Sequence, residues 1–85
     1  MMRYSARVHV TLKPTVNDPQ GNAVLGSLRT LGFASVEHVR VGKYLTLTLD
    51  AADEGDARTQ VTAMCEKLLA NTVIESYETD ISPIS

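Results

Sequence analysis

The side chains best suited to chemistry in this chain are His9, His38, Cys65 and the acidic group Asp53, Glu54 and Asp56. Neither histidine has a cysteine or a second histidine at metal-ligand spacing, so each reads as a surface side chain rather than a ligand. Cys65 falls on the apolar face of a helical pattern, where a thiol is a small hydrophobe; a nucleophilic cysteine needs an accessible, electropositive setting. Asp53, Glu54 and Asp56 have the composition of an acid–base or Mg²⁺ cluster. They also open a helical segment, where carboxylates are favoured by the unpaired N–H groups and the positive end of the helix dipole, and that simpler reading is preferred. Gly42-Lys43 lacks the upstream glycine and following Ser or Thr of a phosphate-binding loop. Gly21 and Gly26 have G-x-x-x-x-G spacing, but Ser27-Leu28 follows where a lysine would be needed. Ser, His and Asp occur at no spacing that suggests a triad. One segment is different. Arg40-Val41-Gly42-Lys43-Tyr44 places two cations and a tyrosine around a glycine. It is either a solvated bend or a contact site, since Arg and Tyr are favoured anchors at protein interfaces.

The elements that must carry these residues follow from periodicity. Tyr4, Ala6, Val8, Val10 and Leu12 alternate with Ser5, Arg7, His9 and Thr11, which predicts a half-buried strand over about 4–12, closed by Lys13-Pro14. Asp18 as cap and Pro19 at the first helical position start a helix over about 19–31, with Ala23, Val24, Leu28 and Leu31 on one face and Gly32 at the left-handed stop. In residues 36–50, Val39, Val41, Leu45, Leu47 and Leu49 share one parity. A two-residue turn at Gly42-Lys43 would bring Thr46 into the core. A single long strand bent near Gly42 keeps the aliphatics together, as does a hairpin with a three-residue loop at 42–44; the long strand is preferred, with its excess length needing cover from another chain. A second helix over about 54–70 presents Ala57, Val61, Met64, Cys65, Leu68 and Leu69 at i, i+4, i+7, i+8, i+11 and i+12, with Asn71 read as its left-handed stop. A last strand covers about 73–81, with Val73, Tyr77 and Ile81 in phase, and Ser82-Pro83-Ile84-Ser85 forms a short tail. The order β-α-β-α-β predicts an α+β, ferredoxin-like two-layer sandwich: a mainly antiparallel sheet covered by two helices in a single domain, 1–85.

Bulk properties narrow the function classes. At 85 residues there is room for one domain, marginal by itself and stabilised by oligomerisation. A composition of 44% hydrophobic and 21% charged residues excludes a disordered chain. A net charge of −2 argues against nucleic acid, whose phosphates require a surplus of Lys and Arg. A single cysteine excludes an internal disulfide and a CxxC motif and fits a reducing compartment. No apolar run approaches the ~20 residues of a membrane span, and Met1–Ser5 is not followed by a signal-peptide core. The expectation is a cytoplasmic protein with no nucleic-acid or membrane partner.

Several segments, in order, carry a resemblance: Thr11-Leu12-Lys13-Pro14, Asp18-Pro19-Gln20-Gly21, Leu31-Gly32-Phe33, Val39-Arg40-Val41-Gly42-Lys43, Cys65 to Asn71, and Val73-Ile74-Glu75. Together they resemble the PurS family, the small subunit of phosphoribosylformylglycinamidine synthase, over roughly residues 10–80. Thr15 stands where that family usually has Gly, and Thr72 where it usually has Pro. The resemblance implies a non-catalytic subunit that bridges a glutaminase subunit and a large synthetase subunit and assists ammonia transfer. It implies self-association as a homodimer or higher homo-oligomer. It implies no cofactor in this chain, with ATP and Mg²⁺ in the synthetase subunit. It makes Asp18, Pro19, Gly21, Arg40, Gly42 and Lys43 the candidate contact residues. The alternative is a ferredoxin-like regulatory domain that binds a small molecule at a dimer interface. RNA binding is a poor third, because the central strand offers only Tyr44 for stacking.

Overall fold

A computed structural model describes residues 1–84. The elements run β1 (Met2–Leu12), α1 (Pro19–Thr30), β2 (Lys43–Ala51), α2 (Glu54–Met64), a π-helical turn (Cys65–Leu69) and β3 (Glu75–Pro83). The predicted β-α-β-α-β order is therefore present. The sheet is antiparallel, in the order β2-β1-β3. Register follows the parity of the aliphatics: Val8 lies opposite Leu45, Val10 opposite Tyr77, and Ala6 between Leu47 and Ile81. One sheet face is thus apolar and the other polar, as the side-chain period of two requires. On the polar face Arg7 holds Asp80 at 3.1 Å and Ser82 at 3.0 Å, and the His9 ring lies 4.4 Å from that of Tyr44.

Three of the four helix ends are those written in the sequence; the fourth is not, because among the described residues none but Gly32 has a positive φ, so Asn71 makes no left-handed stop, and the extended Ala70 (φ −128°) closes the π turn instead. Asp18 caps α1 by accepting from the Gly21 N–H at 2.9 Å, with Pro19 at the first position. At the other end Gly32 has φ +100°, and the Gly32 and Phe33 N–H groups return to the Arg29 and Leu28 carbonyls at 3.0 Å, a Schellman stop. Asp53 caps α2 through the Asp56 N–H at 2.7 Å, while the Asp56 carboxylate accepts from Ala52 N at 2.9 Å. Two members of the acidic cluster are thereby occupied with helix initiation.

The core lies between α2 and the apolar face of the sheet. Tyr4, Ala6, Val8, Val10, Ala51, Ala57, Val61, Cys65, Ala70 and Ile81 are buried in it. Four of the ten are alanines, so α2 lies close to the sheet and the larger burial contributions come from Val8, Val10, Val61 and Ile81, each about 1.5–3 kcal/mol, together with Tyr4.

Four details differ from expectation. Residues 36–42 form neither the upper part of one long strand nor the first arm of a hairpin; β2 begins at Lys43. A strand needs a neighbour to satisfy its N–H and C=O groups, and the β1–β2 ladder runs out at the Val10–Lys43 pair. β3 begins at Glu75 rather than at Val73, because Asn71 accepts from the Ile74 and Glu75 N–H groups and closes a turn over 72–74; at its other end β3 takes in Ser82 and Pro83 of the expected tail, Ile84 N donates to the Arg3 carbonyl at 2.9 Å, and Ser85 lies outside the described residues. The end of α2 widens: Ala70 N donates to Cys65 O, five residues back, at 3.0 Å, and this rotates Leu68 out of the core to 82% exposure.

The fourth difference is the largest. Only α2 lies on the sheet. Among the described residues α1 makes no more than marginal contact with any strand, and Gly21 is its one buried residue. Val24 and Leu31, read as core-facing, are exposed. The radius of gyration, 16.7 Å, exceeds the roughly 12 Å expected for a compact domain of this length. The chain is a thin two-layer body with a helical arm.

Candidate interface

The arm leaves the body at a tightly bonded corner. The turn after β1 closes when Val16 N donates to Lys13 O at 2.9 Å. Arg40 spans this turn from outside, one guanidinium nitrogen donating to the Lys13 and Val16 carbonyls at 3.0 and 2.9 Å. Asp18 ends the turn and is 4% exposed. Its second carboxylate oxygen accepts from the Val41 N–H at 2.8 Å, so one side chain ties the start of α1 to a segment 23 residues away. These N–H donors, Gly21 first and Val41 second, hold the Asp18 carboxyl below its ordinary value of 3.8 against the opposing effect of burial, with a smaller contribution from the Arg40 charge.

Two glycines let the backbones meet. A Cβ on Gly21 would strike the Val39 carbonyl, and one on Gly42 would lie 2.6 Å from the Val10 carbonyl oxygen. Lys43 closes the corner: its ammonium donates to Leu69 O at 3.1 Å, at the end of the π turn, and lies 3.9 Å from Glu75. A cation at a helix C-terminus satisfies carbonyls that have no intrahelical partner. The structure thus brings Asp18, Pro19, Gly21, Arg40, Gly42 and Lys43 into one neighbourhood, and gives Asp18, Arg40 and Lys43 partners within the chain.

Beside the corner lies an open, mainly apolar groove of about 500 Å³, lined by Leu47, Gln60, Ala63, Met64, Lys67, Leu68 and Leu69. β2 forms one wall, and its Leu45, Leu47 and Leu49 are only half-buried. The matching surplus is on α1, where Val24, Leu25, Leu28 and Leu31 recur at helical spacing, Val24 and Leu31 exposed and Leu25 and Leu28 only half-buried. Sequence reasoning assigned Ala23, Val24, Leu28 and Leu31 to the same core as the β2 aliphatics and did not single out Leu25. The signal that they form two unfinished surfaces was the excess of aliphatic residues over what one small sheet layer can cover.

The remaining candidates take structural roles. Burial, and less so the Glu66 charge, pushes the Cys65 thiol above its ordinary value, which leaves it protonated at neutral pH. Among the described residues no group of three or more His, Cys, Asp or Glu is placed to hold a metal ion.

A thin sandwich with an anchored arm, an open groove and polar residues spent on intrachain bonds defines an assembly module. Comparison with known proteins identifies the module. The profile of the PurS family, described as phosphoribosylformylglycinamidine (FGAM) synthase, matches residues 5–83, and this chain belongs to that family. It is 51% identical over 81 residues to the phosphoribosylformylglycinamidine synthase subunit PurS of Synechocystis, covering 95% of this chain and 81% of that one. The solved structure of Bacillus subtilis PurS superposes with a TM-score of 0.85 at 47% identity, covering 93% of this chain and 98% of the other. A chain in the structure of PurLQS from Thermotoga maritima superposes with a TM-score of 0.86 at 30% identity, covering 99% of this chain and 100% of the other.

Proposed function

We propose that this chain is the non-catalytic bridge of a glutamine-dependent synthase, holding a glutaminase subunit and a large synthetase subunit in register while ammonia passes between them. As a PurS-family protein it is a subunit of phosphoribosylformylglycinamidine synthase and acts in purine biosynthesis. The reaction consumes formylglycinamide ribonucleotide, glutamine and ATP. In this reading ATP and Mg²⁺ sit in the synthetase subunit and this chain carries no cofactor. Ammonia released into water becomes ammonium and stops being a nucleophile, so two active sites gain from being held in fixed register and shielded from solvent. That task calls for a rigid sheet and contact surfaces. The cytoplasm is the matching location, and no helix among the described residues is long and apolar enough to cross a membrane.

The observation that carries the reading is the pairing of an uncovered apolar stripe on α1 with an uncovered apolar groove between β2 and α2. A chain that leaves both open is one part of a larger object. The two surfaces suit each other: α1 of one copy, through Val24, Leu25, Leu28 and Leu31, fills the groove of a second. The protein therefore works as a homodimer or higher homo-oligomer, with the corner residues Asp18, Pro19, Gly21, Arg40, Gly42 and Lys43 at the margin of the joint. Apolar burial of this kind is what a small domain with an alanine-rich core needs.

The test is reconstitution from purified glutaminase, synthetase and this chain. Glutamine-dependent, ATP-consuming synthesis should require the chain, whereas synthesis from a high concentration of ammonium salt should proceed on the synthetase without it. Equal glutamine-dependent rates with and without the chain would overturn the bridge.

A further inference from the structure

An apolar helix tethered beside an apolar groove can be buried in two ways, on its own groove or on that of a second copy. The side-chain contacts are alike in both, so burial alone does not choose between them. The connectors choose. Residues 31–42 contain no helix or strand beyond the stop of α1, and the far end of α1 is tied to this connector through the Arg29 guanidinium on Val36 O at 3.2 Å. The near end is fixed much more firmly. The two Asp18 oxygens hold the Gly21 and Val41 N–H groups, and Arg40 holds two carbonyls of the turn that leaves β1.

We propose that Asp18 and Arg40 form a latch that turns α1 away from its own groove and so commits it to a second copy of the chain; this inference rests on the exchange of α1 described above. With the latch closed, the end of β1, the turn 13–16, the first turn of α1 and the strip 39–42 form one corner, and the helix cannot swing about its N-terminus. The absence of a Cβ at Gly21 lets α1 sit against Val39, and its absence at Gly42 lets the strip sit against β1. With the latch open, the two connectors give α1 the freedom to fold back, and the closed monomer competes with the exchanged dimer.

The substitution Asp18→Asn separates the two duties of the residue. Asparagine remains a good helix cap through its carbonyl oxygen, but it presents an amide in place of the oxygen that accepts from Val41. Molar mass by light scattering over a range of concentrations, with far-UV circular dichroism, reads the result. Wild-type chain should be dimeric or larger. Asp18→Asn and, separately, Arg40→Ala should keep their helix content while the dissociation constant rises by at least about tenfold. If Asp18→Asn fails to fold, Arg40→Ala carries the same test. Four residues inserted between Ala34 and Ser35 lengthen the connector without touching the latch and should leave association unchanged. Wild-type association in both latch variants would overturn the latch while leaving exchange intact, and so would a monomer produced by the insertion. A wild-type chain that is monomeric at every concentration would overturn the exchange itself.

Discussion

The two helices carry the same kind of apolar stripe and meet different ends. α2 and the π turn that continues it bury Ala57, Val61 and Cys65 against the sheet, whereas α1 buries only a glycine in its first turn. The difference lies in how each helix is entered. α2 follows β2 after only Ala52 and Asp53, and so short a link folds the helix straight back over the strand it leaves. α1 follows β1 after the six residues 13–18, whose carbonyls and carboxylate are bonded to Arg40 and Val41 rather than to the sheet. An amphipathic pattern shows that a helix needs an apolar partner; the connection decides which partner it can reach.

Aliphatic-to-alanine substitutions in the two helices should have unequal effects. Val61→Ala removes buried methyls and leaves a cavity in the small core, and should cost about 2–3 kcal/mol in urea unfolding. Leu28→Ala should leave the urea midpoint of the dilute chain nearly unchanged while weakening its self-association. Equal loss of stability from the two would mean that α1 is packed within its own chain. At the corner, Gly42→Ala should cost about 1–3 kcal/mol, because its Cβ meets the Val10 backbone and not a side chain that could move.

Acid should act on the arm before the body. The folded Asp18 carboxyl titrates below its ordinary 3.8. The stability it supplies is therefore fully present above that value and is lost as pH falls through the lower folded value. Hydrogen exchange or light scattering followed downward from neutral pH should show α1 loosening only once the pH has fallen below 3.8, and Asp18→Asn should flatten that part of the profile. Cys65 tests the body by comparison: because it is buried and protonated, alkylation at neutral pH should be slow and should rise with urea in step with global unfolding. The smallest effect is expected at Gly26. Beyond its chain neighbours and the backbone of its own helix, no described atom lies within 4 Å of a Cβ placed there, so Gly26→Ala should add up to about 1 kcal/mol of helix propensity to α1. No change, or a loss, would mean that this face of α1 is already occupied.

What was legible in the sequence was local. Strict alternation placed β1, and Asp18, Pro19, Gly32 and Asp53 marked helix ends through bonds spanning only a few residues. What was not legible depends on distant segments. The parity of Val39 and Val41 matches that of Leu45 to Leu49, yet 36–42 is irregular because β1 supplies no ladder beyond Val10. The stripe on α1 was correctly apolar, but nothing in a 3.6-residue period names the surface that covers it. The corner residues were picked out as a set, while their intrachain bonds were not, since the Asp18–Val41 bond is invisible without the return of the chain.

The wide turn at Cys65–Leu69 holds one more residue than an α-helix would place there. Taking one residue out would let the ladder close in regular register and swing Leu68 back inward. The wall of the groove would lose its most prominent aliphatic, while the sheet beneath kept every bond. Contact chemistry at this surface can therefore be rewritten by a change in length alone, with no change in polarity.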